Sequence, residues 1–181
     1  MIAYAITDPS TLHFDNLTDD IKHFATQADM ILYRDKENLQ YEQYAKLFID
    51  EAKKYSFDKI LIHSNIKLAL ALEADGVHLT SLQLDQIAEA KKQNLFVIVS
   101  THTTDEAVQA ELSGADMITY SPIFPTPNKG KAKGLQALEE LTKLIHIPII
   151  ALGGILTQEQ IDASIGTGAS GFASIRFFLA N

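Results

Sequence analysis

Only two of the 15 basic residues in this chain are arginine, Arg34 and Arg176. Each stands where a β-branched or apolar run turns polar, while the exposed charge is left to lysine. The rigid guanidinium fork suits bidentate binding of an oxyanion, so arginine kept for two such places points to a phosphate or pyrophosphate pocket. The bland alternative pairs each with a nearby carboxylate, Arg34 with Asp35 or Asp8. A second signal is the stretch ITYSPIFPTPNKGKAKG from Ile118 to Gly134, a β-branched strand running into a loop of hydroxyl, amide and ammonium donors. Thr126 and Lys129 lie in that loop, and with Lys131, Lys133, Gly130 and Gly134 it reads as a mobile cationic flap over a ligand. Lys131 and Lys133 read as solvated. A third signal is Gly153-Gly154 after the apolar run 147–152, a place where amide donors can approach an anion closely. A tight turn without a ligand is the alternative there.

The histidines divide by position. His63 and His102 stand at strand ends, where a ring that titrates near neutral pH could exchange protons. His13, His23 and His146 fall in helices or connections and read as surface or structural groups. His78 follows Val77 within a strand and reads as a buried, hydrogen-bonded core histidine.

The elements that must position these groups are legible as well. Eight short runs, near 2–6, 30–34, 59–63, 76–79, 96–100, 117–121, 147–152 and 171–175, alternate with helical segments. The helices are expected over 19–28, 41–55, 66–73, 82–93, 104–113, 135–144 and 158–167, from apolar positions three and four apart. Thr103 and Thr157 have capping spacing, and Gly76, Gly114 and Gly168 read as stops just past helix ends. Strands alternating with helices imply a parallel sheet, and eight strands close a (β/α)₈ TIM barrel. An open doubly wound sheet is the rival, but its glycine-rich first turn is replaced by Thr7-Asp8-Pro9-Ser10. Residues 1–181 are read as one barrel domain with a short or missing eighth helix, a role that a partner subunit in a homodimer could take. In a barrel the chemistry sits at the C-terminal ends of the strands, where the residues just named fall.

Composition narrows the function. The chain has 181 residues, 46% of them apolar, with a net charge of −8. An acidic average surface argues against nucleic-acid or anionic-membrane partners, so an anion must be held by a local cation cluster. The absence of cysteine removes disulfides, thiolate nucleophiles and thiolate metal sites. The opening MIAYAITDPS lacks the basic flank and long apolar core of a signal peptide, and the cytoplasm is the expected compartment.

The chain resembles the thiamine phosphate synthase and TenI family through AYAITD (3–8), LYRDK (32–36), ALALEADGVHL (69–79), VSTHTTDEAVQAELSGADMITYSPIFPTPNKG (99–130) and IPIIALGGI (147–155). The resemblance implies a (β/α)₈ barrel. In the synthase, an aminopyrimidine pyrophosphate and a thiazole phosphate give thiamine phosphate with loss of Mg-bound pyrophosphate. By resemblance, Arg34, Lys36 and Lys129 are pyrophosphate ligands and Ser100 the hydroxyl beside them. Thr126 is a contact of the thiazole phosphate, and Gly153, Gly154, Ile175 and Arg176 form the phosphate loop. The family's Asn-Asp-Arg is His63-Ser64-Asn65 here, and its Gly-Gln with a following Asp is Thr80-Ser81 with Gln83. Both expected magnesium carboxylates are replaced, and hydroxyl and amide groups suit Mg²⁺ poorly.

TenI proteins keep the barrel and tautomerise a thiazole phosphate without a metal, though their proton-transfer histidine corresponds to Pro122. The expectation from sequence is therefore a TenI-like, metal-independent tautomerase using His102 or His63 with Ser100. It needs no cofactor and takes a phosphorylated thiazole or thiamine phosphate. The alternatives are a divergent synthase, with Mg²⁺ as its cofactor, and a non-catalytic pathway sensor.

Overall fold

The eight runs form β1 (Ile2–Ile6), β2 (Met30–Tyr33), β3 (Lys59–His63), β4 (Gly76–Leu79), β5 (Phe96–Thr101), β6 (Met117–Tyr120), β7 (Ile149–Leu152) and β8 (Gly171–Ser174). In this computed structural model, which describes residues 1–179, they pair in chain order into a closed parallel barrel, with β8 returning to β1. Between them run α1 (Leu17–Ala25), α2 (Tyr41–Ala52), α3 (Ile66–Ala71), α4 (Ile87–Lys92), α5 (Thr104–Leu112), α6 (Gly134–Leu144) and α7 (Gln158–Gly166). No helix among the described residues is long and apolar enough to cross a membrane.

Strands covered on both faces must be apolar at both parities, which is why these runs are nearly continuous rather than alternating. One parity fills the barrel: Tyr4, Ile6, Met30, Leu32, Leu61, Ile98, Met117, Ile150 and Ala173 form a separate inner cluster. The other parity, including Ala5, Ile31, Ile60, Ile62, Val77, Val97, Val99, Ile118 and Phe172, packs outward against the helices. Fully burying a side chain of this size contributes about 1.5–3 kcal/mol.

Three aspartates fasten the bottom of the barrel in the same way. Asp29, Asp75 and Asp116 each stand one residue before β2, β4 or β6. Each accepts, at 2.7 Å, a backbone N–H near the start of the preceding strand, from Ala3, Ile60 and Val97 respectively. The sequence carries this device as a recurring Ala-Asp pair, at Ala28-Asp29, Ala74-Asp75 and Ala115-Asp116.

Several boundaries differ from expectation for identifiable reasons. The seventh strand starts at Ile149 rather than 147, because Pro148 has no N–H to give the ladder. The helix expected over 82–93 is divided into a 3₁₀ segment (Ser81–Gln86) and α4, with Gln83 non-helical at φ −119°, ψ 25°. Gly76 is not a helix stop. It begins β4, where an added Cβ would sit 2.0 Å from the Phe96 carbonyl oxygen, and the left-handed residue past α3 is Glu73 (φ 52°). Gly114 and Gly168 do follow α5 and α7 with positive φ. Thr103 caps α5, and Thr157 with Gln160 forms a capping box on α7.

After β8 the chain makes a single 3₁₀ turn, Phe177–Leu179, in the place of an eighth helix. Phe178 is fully buried, stacked on Phe172 and edge-on to Phe24, and its carbonyl accepts from His23 Nε2 at 2.6 Å. Phe178 thus packs this last described turn against α1 and β8. Residues 180 and 181 lie outside the described part.

Candidate active site

Every residue singled out from sequence for catalysis or binding opens onto one cavity of about 360 Å³ at the C-terminal ends of the strands. Arg34 and Lys36 follow β2, His63 ends β3, Ser100 lies in β5 and His102 follows it. Thr126 and Lys129 come from the loop after β6, Gly153 and Gly154 from the turn after β7, and Ile175 and Arg176 from the turn after β8. Ile6, Leu32 and Leu152 make an apolar floor.

One side of the cavity is strongly cationic. The Lys36 ammonium is held below its ordinary range, first by burial and then by the Arg34 and Lys129 charges. His63 is pushed down to about 4 by burial and by Arg34 and Lys36, so it is neutral at pH 7. Three permanent or near-permanent cations crowded together, with a neutral imidazole beside them, form a site waiting for negative charge. Among the described residues neither Arg34 nor Arg176 lies within ion-pair distance of a carboxylate, which removes the bland reading of both.

The turns after β7 and β8 bring a second donor set to the same cavity. The backbone N–H groups of Gly153, Gly154, Ile175 and Arg176 make no hydrogen bond to another described residue. These amides and the Arg176 guanidinium can all donate to a phosphate. The glycines also have a packing role. Both have positive φ (97° and 71°), and an added Cβ would lie 2.7 Å from Pro122 Cα at position 153 and 2.7 Å from the Pro125 carbonyl oxygen at position 154. The loop after β6 occupies the space that side chains would need.

That loop is fastened at both ends rather than hinged. Ile123 and Phe124 donate to the carbonyls of Leu152 and Gly153, and Lys133 and Gly134 donate to those of Pro122 and Ile123. Thr126 Oγ1 donates to the Phe124 carbonyl at 3.0 Å. Lys133 is not simply solvated, since its ammonium lies 5.4 Å from the centre of the Tyr120 ring. Only Lys129 of the three loop lysines lines the cavity.

The histidines separate as their strand positions imply. His102 Nδ1 lies 3.1 Å from the Ser121 carbonyl and 3.2 Å from the Ser121 hydroxyl. His13 meets Asp20 and His146 meets Glu111 at the surface. His78 is a buried, hydrogen-bonded core residue as expected, yet it also reaches the cavity, between Tyr4 Oη and Ser100 Oγ. Sequence reasoning missed Tyr4 as His78's partner, whereas Ser121 and Ser174, read from sequence as strand-end residues, do line the wall. The available signal was strand parity: Tyr4, His78 and Ser100 occupy positions in step with the barrel-filling residues of their strands.

Magnesium does not fit this donor set. No carboxylate lines the cavity, and no group of three or more His, Cys, Asp or Glu residues among those described could hold a metal ion. The Ser64 carbonyl is occupied by Gln83 Nε2 at 3.0 Å. Asp8 Oδ1 is turned into its own loop, accepting from Ser10 N and Oγ.

Comparison with known proteins follows the same lines. Residues 3–178 match the family described as thiamine monophosphate synthase. A relative from Aquifex aeolicus is 38% identical over 181 residues, covering 97% of this chain and 96% of that one. The thiamine-phosphate synthase of Syntrophomonas wolfei is 32% identical over 180 residues, covering 95% and 85%. Among solved structures, a thiamine phosphate pyrophosphorylase from Pyrococcus furiosus superposes with a TM-score of 0.81 at 26% identity, covering 97% of this chain and 85% of that one.

Proposed function

Because this chain belongs to the thiamine monophosphate synthase family, we propose that it acts in thiamine biosynthesis as a divergent thiamine phosphate synthase. The pyrophosphate end of an aminopyrimidine substrate is held by Arg34, Lys36, Lys129 and Ser100. A thiazole phosphate is held by Thr126, the amides of Gly153, Gly154 and Ile175, and Arg176. The observation that supports this reading is that Arg34, Lys36 and Lys129 line the same cavity as Arg176 and the turns after β7 and β8, enough donors for two anionic groups. A tautomerase needs only one of them.

In the coupling step the C–O bond to pyrophosphate breaks, and the departing oxygen keeps the electron pair. The thiazole nitrogen donates its lone pair to the freed methylene carbon and forms the new C–N bond. Negative charge grows on the leaving oxygen, and fixed cations aimed at that place stabilise it more than they stabilise the ground state. The apolar floor would carry the two rings and hold nitrogen and carbon within reach, which supplies much of the acceleration in a two-substrate reaction. This reading assigns the metal's task to Arg34, Lys36 and Lys129.

The tautomerase favoured from sequence becomes the second reading. Its support is His102, an imidazole that lines the cavity wall beside Ser121. His63 serves it poorly, because a ring pushed down to about 4 is a weak base and holds no proton to return at neutral pH.

The test is to supply the aminopyrimidine pyrophosphate and the thiazole phosphate together, in EDTA and in Mg²⁺, and follow thiamine phosphate. Product in both conditions supports the proposal. Binding without product, with tautomerisation of a thiazole carboxylate phosphate abolished by His102→Ala, would move the assignment to the second reading. Ligand binding with no turnover of either kind would leave the sensor.

A further inference from the structure

The buried polar chain from Tyr4 through His78 to Ser100 has a single consistent direction. Tyr4 is fully buried inside the barrel, and its Oη lies 2.9 Å from His78 Nδ1 with the two rings stacked at 5.7 Å. His78 is 2% exposed, and its Nε2 lies 2.9 Å from Ser100 Oγ at the cavity wall. Burial, with the charge of Arg34 nearby, keeps this imidazole neutral, so it has one N–H and one acceptor nitrogen.

Two arrangements are possible. If Nδ1 carried the proton, it would donate to Tyr4 Oη, and the phenol's own hydrogen would be left buried; His78 is its sole partner among the described residues. An unmade donor in that position pays its full desolvation cost. If Nε2 carries the proton, Tyr4 donates to Nδ1, Nε2–H donates to Ser100 Oγ, and every polar hydrogen in the chain has a place. Ser100 then has its acceptor side filled, and its own O–H must point into the cavity.

We propose that Tyr4 and His78 are positioning residues that fix the Ser100 hydroxyl as a hydrogen-bond donor toward the ligand's anionic end. The relay rests on the proposed anion site only for its purpose. Its direction is a property of the free protein. A freely rotating serine hydroxyl divides its time between donating and accepting; this one is committed before the ligand arrives, so less orientational freedom is lost on binding. Tyr4 acts at a distance, touching His78 and not the ligand. In Tyr4→Phe the imidazole loses the donor that fixes its tautomer, and Ser100 can turn its hydrogen inward to Nε2.

Nitrogen NMR of the imidazole in the free protein, with calorimetric titration of inorganic pyrophosphate, tests the relay. The wild type shows the Nε2–H tautomer of His78, and Tyr4→Phe shows a mixture or the Nδ1–H form. Tyr4→Phe weakens pyrophosphate binding roughly ten-fold, the loss of one hydrogen bond to a charged group, but weakens it no further in a Ser100→Ala background. His78→Gln, whose amide accepts toward Tyr4 and donates toward Ser100, recovers most of what His78→Leu loses. An Nδ1–H tautomer in the wild type overturns the relay, as does an equal loss from Tyr4→Phe with and without Ser100. If pyrophosphate fails to bind the wild type, the proposed function fails, and the tautomer alone decides the relay.

Discussion

The side-chain amide of Gln83 donates to the backbone carbonyl of Ser64 at 3.0 Å, joining the turn after β4 to the turn after β3. These are the two places where the family resemblance leads one to expect magnesium carboxylates. Here they bind each other, and the same Gln83 oxygen accepts from Thr80 N at 3.1 Å. A neutral clamp thus joins the two turns at the barrel mouth.

From that clamp it follows that Mg²⁺ does not tighten pyrophosphate binding to the wild-type protein, as titration in EDTA and in excess Mg²⁺ will show. The double substitution Ser64→Asp with Gln83→Asp restores two hard oxygen ligands, and binding should then become Mg²⁺-dependent. Stronger wild-type binding in Mg²⁺ would show that a metal is used after all.

Arg34 is expected to dominate the cationic side. Arg34→Met should weaken pyrophosphate roughly 10- to 100-fold, as expected on losing a charge-assisted, bidentate contact. It should also let His63 titrate above its value of about 4, because Arg34 is the charge that contributes most to lowering it after burial. Proton NMR of the His63 ring during a pH titration reads the second effect without any ligand.

Stability should fall on acidification through the histidines. Above pH 6.5 both folded and unfolded forms of His63 and His78 are neutral, and neither group affects stability. Between 6.5 and about 4 the unfolded chain takes up protons that the folded chain refuses at His63, and for His78 the refusal continues to about 3. Stability therefore rises with pH in this window, by up to about 1.4 kcal/mol per pH unit for each group. Urea unfolding at pH 7.5 and 5.0 measures the slope, and His63→Gln should reduce it by close to one proton.

Gly154→Ala should be costly twice over, since its φ of 71° disfavours a side chain and the new Cβ would meet the backbone of Phe124 and Pro125. A loss of at least about 2 kcal/mol is expected, with weakened phosphate binding. Gly114→Ala is the control. Its φ is also positive, but the space around it is open, so about 1 kcal/mol is expected, with unchanged ligand affinity.

Asp75→Ala leaves the Ile60 N–H at the barrel bottom without its acceptor. Thermal or denaturant unfolding should show a loss of about 1–3 kcal/mol, and the binding constants at the opposite end of the barrel should not change.

The barrel was legible because most strands are apolar at both parities, a pattern that parallel strands under helices require and that periodicity detects. The site was legible because strand ends are where a barrel places its chemistry, so scarce residues such as Arg34 and Arg176 stood out. What escaped was set by three-dimensional partners. Nothing local to Gln83 says that its amide will break a helix by reaching Ser64. Gly76 looks like a helix stop until the carbonyl of Phe96 is seen against it. Tyr4 reads as an ordinary core aromatic because its partner, His78, is 74 residues away. The ranking of tautomerase over synthase rested on the missing carboxylates beside retained phosphate elements; the relatives that this chain resembles over most of its length, such as the thiamine-phosphate synthase of Syntrophomonas wolfei, favour the synthase instead.

The central claim is tested most directly by a crystal structure with thiamine phosphate bound. The account predicts the phosphate against the amides of Gly153 and Gly154 with Arg176 beside it, and the rings on Ile6, Leu32 and Leu152. The pyrimidine methylene should face Arg34, Lys36 and Lys129. A phosphate lodged among those three cations, with the double-glycine turn untouched, would contradict it.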